Sequence, residues 1–303
     1  KEIFGKDCTY QTVERLRSMK LYQLADMVFG VGGEKALDTV KCLCITDDKP
    51  VFTFPTIASN CAACTSVSIM YNEDGTFLKP HFFIRPAMHA FIDTEIIAKA
   101  PYQYLWAGIG DTYAKYYEAT ISSRDERLEH FTSLGVALSK MCRDPLLEYG
   151  PKAFADHKQK LCTYDVEQVI LAIVVTTGIA SIFLTKDFTP DYNSGLAHAI
   201  FYALTSYPVI EERHLHGEVV GFGVLLALLV DGQEEEFEKV YELNRSINLP
   251  VSLEQIEISE EQWKESMTRI PEMSDVKHYP YRVTPEMLDA AMTKLKERVK
   301  KDE

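Results

Sequence analysis

The chain has 303 residues, enough to bury a large core and, as a prior, to form two domains. Its 32 lysines and arginines stand against 45 aspartates and glutamates, a formal net charge of −13, so neither nucleic acid nor an anionic membrane is an expected partner. Seven cysteines, an odd number spread along the chain, point to reduced thiols in a cytoplasmic protein rather than to a disulfide framework. The first residues do not resemble a signal peptide. The most apolar stretch, VILAIVVTTGIASIFL, is interrupted by Thr176, Thr177 and Gly178 and is not expected to span a membrane.

Taken in order, ADMVFGVGG reads as a strand, KALDTVKCL as a helix, VFTFPTIAS as a strand, YNEDG as a turn, and HAFIDTE as a further apolar run. This alternation predicts an α/β domain with a parallel sheet. From about residue 94 the pattern becomes almost wholly helical. It closes in TPEMLDAAMTKLKERVKK, where Thr284 is placed to cap a helix whose first residue is Pro285. A boundary near AKAPYQYL separates residues 1–98 from residues 99–303, and a ligand cleft is expected between them.

Four stretches carry candidate chemistry. Gly30, Gly32 and Gly33 follow a strand and open a helix, where backbone amides can cradle a phosphate; many strand–helix turns contain glycines for other reasons. Cys61 and Cys64 have the spacing of a redox dithiol, although small cysteines packed beside alanines give the same pattern. Asp111 follows Gly108 and Gly110, which suits a helix N-terminus. Lys115 lies one turn further along the same face, ~6 Å up the axis, as either a surface ion pair or a partly buried one. His198, His214 and His216 fall close together. An unbroken helix would hold His198 and His216 about 27 Å apart, so a shared metal needs the chain to reverse between them. TSYPVIEER offers that reversal, with Pro208 breaking the helix and Glu211, Glu212 and Arg213 forming a solvated loop.

Together GVGGEKALDTVK, PTIAS…TSVSIMY, AGIGDTYAKYYEA, AHAI and HGEVVGFG resemble the glycerol dehydrogenase group of the iron-containing alcohol dehydrogenase superfamily, in order and over nearly the whole chain. The resemblance implies a nucleotide-binding α/β domain and a helical metal-binding domain, the fold shared with dehydroquinate synthase. It implies a homo-oligomeric, NAD- or NADP-linked oxidoreductase with one divalent Zn²⁺ or Fe²⁺ acting on a small alcohol or carbonyl compound. Carried over, the metal ligands are Asp111, His198 and His216, with His214 a neighbour. Dinucleotide contacts fall on Gly32, Gly33, Glu34, Lys35, Asp38, Thr56, Ser59, Thr65, Val67 and Tyr71.

Three departures stand out. The chain opens at a segment resembling the family's third strand region. An earlier stretch, which carries the residue separating NAD from NADP, is therefore expected to be absent. Glu34 stands where a third glycine is usual, and is expected to turn its side chain away from the dinucleotide. Cys61 and Lys115 replace an aspartate and a neutral residue in the substrate pocket, making it more cationic. That change resembles the hydroxycarboxylate dehydrogenase branch and predicts a 2-hydroxy acid/2-oxo acid pair as substrate. Glycerol and dihydroxyacetone are the alternative pair. A lyase resembling 3-dehydroquinate synthase and a non-catalytic relative are the remaining readings.

Overall fold

The structure, a computed structural model, describes residues 2–188 and 192–302. Two short helices, α1 (Tyr10–Arg17) and α2 (Lys20–Leu24), precede the first strand. β1 (Val28–Gly32) pairs in parallel with β2 (Val51–Pro55), Val28 lying opposite Val51 and Gly32 opposite Pro55. A parallel pair needs a crossover, and α3 (Glu34–Thr46) supplies it. The helix lies so close to β1 that a Cβ on Gly30 would come 2.2 Å from Val40 Cγ2. Gly30 is therefore a packing glycine.

A hairpin that the sequence pattern did not reveal follows. β3 (Val67–Tyr71) and β4 (Phe77–Phe82) run antiparallel in a separate two-stranded sheet. The expected turn at YNEDG joins them: Asn72 donates its amide to Thr76 O at 2.8 Å, and Gly75 adopts a φ of +87°. HAFIDTE contributes only β5 (His89–Ala90), which extends the parallel sheet to the order β1–β2–β5.

Helices follow: α4 (Thr94–Ala98), α5 (Tyr102–Ser122), α6 (His130–Lys158), α7 (Tyr164–Leu171), α8 (Thr177–Leu184), α9 (Leu196–Leu204), α10 (Pro208–Arg213), α11 (His216–Val230), α12 (Glu234–Ile247), α13 (Glu260–Arg269) and α14 (Pro285–Lys300). α11 is apolar all round and buried from Gly217 to Leu229, which marks it as the central helix of this body. Thr284 caps α14, accepting from the Met287 amide, with Pro285 as its first residue.

Three sequence expectations are corrected here. The threonines and glycine at 176–178, expected to interrupt the apolar stretch, do not bring it below spanning length, because they lie within continuous helix. A π-turn at Ala172–Thr176 joins α7 to α8, and Thr177 Oγ1 donates to Ala172 O at 2.9 Å. The resulting span, Tyr164–Leu184, is long and apolar enough to cross a membrane by length and composition. Its Val166, Val169, Ile170, Ile173 and Val174 are nevertheless fully buried in the helical core. Pro208 starts the short helix α10 rather than a loop, because a proline at the first helical position forfeits no hydrogen bond. Asp111 lies inside α5, not at a helix start.

The glycines around Asp111 serve a helix crossing. A Cβ on Gly110 would lie 2.1 Å from Gly217 O, and one on Gly217 would lie 1.9 Å from Ala107 O. α5 and α11 thus cross with their backbones in contact. Nothing larger than hydrogen fits between them.

Candidate metal and dinucleotide site

That crossing sets Asp111 beside His216, the first residue of α11, while α9 brings His198 to the same point. The imidazole Nε2 atoms of His198 and His216 lie 3.5 and 3.3 Å from Asp111 Oδ1. One donor atom from each of the three residues lies within 4.8 Å of the others. The expected reversal between the histidines is made by α9, α10 and the start of α11, and their rings stand 5.3 Å apart.

Each histidine is oriented by something else. The buried Glu118 accepts from His198 Nδ1 at 2.7 Å and from the His198 amide at 2.9 Å, which fixes Nδ1 as the donor and turns Nε2 towards Asp111. The His216 ring packs edge-on against Phe201 at 4.4 Å, with its far side open. Burial opposes charge on His198, but the Glu118 and Asp111 carboxylates outweigh it and hold the imidazole protonated up to about 10. Burial also opposes charge on Asp111, yet hydrogen bonds from the two histidines carry its carboxyl well below the usual carboxylate range. The Asp111 and Glu118 carboxylates therefore favour a cation at this point, a proton on the His198 imidazole or a metal ion that takes the proton's place. Two imidazole nitrogens and a carboxylate oxygen suit Zn²⁺ or Fe²⁺ and leave a coordination position open, as catalytic sites do. The donor set fits a divalent ion.

Glu118 lies seven residues after Asp111, two turns along the same helical face. That spacing is visible in the sequence, but nothing marks the glutamate as different from a core-edge residue. Glu118→Gln is expected to weaken metal binding by roughly 10- to 100-fold, the usual cost of losing a ligand's outer partner. Competition with a chromophoric chelator measures it, and unchanged affinity would remove Glu118 from the site.

A second close contact joins the α/β part to the helix that carries Asp111. A Cβ on Gly108 would lie 2.3 Å from Ala58 O, so the segment after β2 rests on α5 one turn before Asp111. Gly32 takes a φ of +149°, and Gly33 caps α3 without any side-chain hydrogen bond, leaving the first amides of the helix available to an anion.

Residues 2–91 match the iron-containing alcohol dehydrogenase family. A glycerol dehydrogenase of Thermotoga maritima is 36% identical over 267 residues, covering 84% of this chain and 69% of that protein. Hydroxycarboxylate dehydrogenase A of Escherichia coli is 33% identical, covering 97% of this chain and 81% of that one. The crystal structure of glycerol dehydrogenase from Schizosaccharomyces pombe superposes with a TM-score of 0.83 at 25% identity, covering 99% of this chain and 76% of that one. The chain belongs to the iron-containing alcohol dehydrogenase family.

Within this alcohol dehydrogenase the remaining expected residues occupy varied positions. Thr56 donates its amide to Gly32 O at 3.0 Å, tying the glycine turn to the segment that carries Ser59. Glu34 is turned to Asn60, whose Nδ2 donates to Glu34 Oε2 at 2.6 Å. Lys35 pairs with Asp7 and lies over the Tyr71 ring, 4.9 Å from its centroid. Asp38 and the Thr65 hydroxyl both face inward to the buried Lys41, and Val67 begins β3, its carbonyl accepting from Lys41 Nζ at 2.6 Å. His214 turns away from the cluster to Glu218 at 2.8 Å and Glu257 at 3.3 Å.

The expected substrate-pocket residues, Lys115 and Cys61, each have distinct surroundings. Lys115 is buried, and its ammonium donates to the backbone and side-chain oxygens of Asn193, the latter at 2.7 Å. It anchors the turn before α9 rather than standing free. All seven cysteines are free, and burial pushes the Cys61 thiol up to about 12 and the Cys64 thiol up to about 11. Both stay protonated at neutral pH, which disfavours a dithiol redox role. Asn60, Lys41 and Asn193 escaped the sequence reading because no local pattern announces their partners.

Proposed function

We propose that this chain is a metal-dependent, NAD(P)-linked dehydrogenase of the glycerol dehydrogenase type, interconverting glycerol and dihydroxyacetone or a closely similar polyol and ketone. The observation that carries the reading is the convergence of Asp111, His198 and His216 where α5 crosses α11, with the segment after β2, to which Thr56 ties the glycine turn, resting on the same helix. Asp111, His198 and His216 would hold the metal. Bound there, it would supply Lewis acidity to a substrate oxygen while the nicotinamide exchanges hydride. Glu118 keeps the His198 donor aimed, Gly33 and the α3 N-terminus receive the pyrophosphate, and the Ala58–Gly108 contact sets the distance between cofactor and metal. Seven free cysteines suit a reducing, cytoplasmic setting.

The expectation of a 2-hydroxy acid gives way to the alternative pair for a physical reason. It required the Lys115 ammonium to meet a substrate carboxylate, and that ammonium is buried and donates to two oxygens of Asn193. Glycerol dehydrogenases also recur among the relatives. Reduction of dihydroxyacetone, simple aldehydes and a panel of 2-oxo acids by NADH and NADPH tests the reading, with dihydroxyacetone expected to give the highest kcat/KM. A 2-oxo acid ahead by tenfold, ~1.4 kcal/mol in transition-state binding, would reinstate the carboxylate reading. Lys115→Met should cost about 1–3 kcal/mol of stability by leaving Asn193 oxygens unpaired, and should change all carbonyl substrates alike. A loss confined to 2-oxo acids would place Lys115 on the substrate.

A further inference from the structure

We propose that Glu34 makes dinucleotide binding proton-linked: its carboxyl is neutral when a pyrophosphate occupies the N-terminus of α3, so binding takes up a proton. The inference rests on the dinucleotide reading above and goes beyond it, because it concerns a residue that breaks the glycine turn in this chain.

Glu34 is the first residue of α3, directly after the uncapped Gly33. An ionised carboxylate there is stabilised by the same exposed amides and helix dipole that an incoming phosphate would use. The two anions therefore compete for one positive end. The side chain does not simply leave for solvent, because Asn60 Nδ2 holds Glu34 Oε2 at 2.6 Å, and Asn60 itself is set by its Oδ1 accepting from the Ala62 amide at 3.0 Å. Ile57 packs over the turn as well, 2.7 Å from where a Gly33 Cβ would lie. The carboxyl is thus kept beside the phosphate position even though it is turned sideways.

The groups around it do not neutralise it. Asp38 lies one turn further along α3, and a smaller repulsion comes from Asp111 on α5, which a bound cation would offset. Tyr71 on β3 is close enough that the Glu34 charge raises its phenol. The cations nearby are committed elsewhere: Lys41 to Asp38 at 2.9 Å and to three main-chain or hydroxyl oxygens, and Lys35 to Asp7. Burial, reinforced chiefly by the Asp38 charge, pushes the Glu34 carboxyl up to about 7 before any ligand arrives. Phosphate charge would shift it further in the same direction, so the protonated form is the one that binds.

The sign follows from linkage. Where the free protein has Glu34 ionised, above neutral pH, binding must add a proton and weakens as pH rises. Where Glu34 is already protonated, binding does not depend on pH. For a carboxyl titrating near 7, the dissociation constant of NADH or NADPH should rise about tenfold between about pH 6 and about pH 8. Fluorescence titration of the metal-loaded full-length protein reads this directly. Calorimetry in two buffers of different ionisation enthalpy should show uptake approaching one proton per dinucleotide at the upper pH. Glu34→Gln should abolish both effects and bind at the upper pH about as tightly as the wild type does at the lower, and Glu34→Gly should behave alike. A flat profile in the wild type, or the same slope persisting in both variants, overturns the proposal while leaving the dinucleotide reading intact. Failure of NADH and NADPH to bind wild type and variants at either pH overturns the two together.

Discussion

His216→Ala is expected to remove most metal retention and dehydrogenase activity while leaving the fold in place. His216 is the first residue of α11 and its side chain is largely open, so its removal empties little of the core. What it removes is one of the three donors that converge among the described residues, and a Lewis acid contributes several kcal/mol to the transition state. At ~1.4 kcal/mol per tenfold, kcat/KM should fall on the order of 10³-fold, with metal content by mass spectrometry falling in parallel. His214→Ala is the matched control, since His214 sits two residues away but is held by Glu218 and Glu257. It should retain metal, losing only about 1–3 kcal/mol of stability because the nearly buried Glu218 is left without its imidazole partner. Equal metal loss in both variants would mean that the wrong histidine has been placed in the cluster. Extensive dialysis against a chelator should reproduce the His216→Ala phenotype, reversibly, on readdition of Zn²⁺ or Fe²⁺.

Much of this site is legible in the sequence because its parts are local. The glycine turn, the caps of α14 and the helical reversal between His198 and His216 all follow from residue type and spacing over a few positions. The helix crossing is not local. Gly108 and Gly110 resemble a helix start when read alone, and only Gly217 and Ala58, distant in the chain, show that they are contact glycines. Lys115 illustrates the same limit. Its place one turn beyond Asp111 is visible in the sequence, but its partner Asn193 comes from a turn 78 residues later, and that partner decides how the charge is held. The β3–β4 hairpin was missed for another reason. β4 has no alternation to read, with every residue exposed or half-buried and Pro80 at its centre, as an edge strand allows.

Lys41→Met should destabilise the chain by about 3–5 kcal/mol, the cost of stranding a buried charge by removing its partner. Lys41 is fully buried, and its ammonium is surrounded by the Asp38 carboxylate at 2.9 Å, Ala62 O at 2.7 Å, Thr65 Oγ1 at 3.0 Å and Val67 O at 2.6 Å. These oxygens belong to α3, to the segment that follows Cys61 and to β3, so a single cation fastens three pieces of backbone that share no sheet ladder. Asp38 depends on it. Burial raises that carboxyl against the opposing pull of Lys41 and the Ile69 amide, and without Lys41 it must fold protonated or exposed. Urea unfolding of the wild type, Lys41→Met, Asp38→Asn and the double variant separates the contributions. The double variant should recover part of the loss, giving a coupling energy of about 1–3 kcal/mol. A single-variant loss below about 1 kcal/mol would show that water or a rearranged loop solvates Asp38 instead. Cofactor affinity should fall with stability in Lys41→Met, because the segment released is the one that carries Asn60 and rests Ala58 on α5 beside the metal ligands.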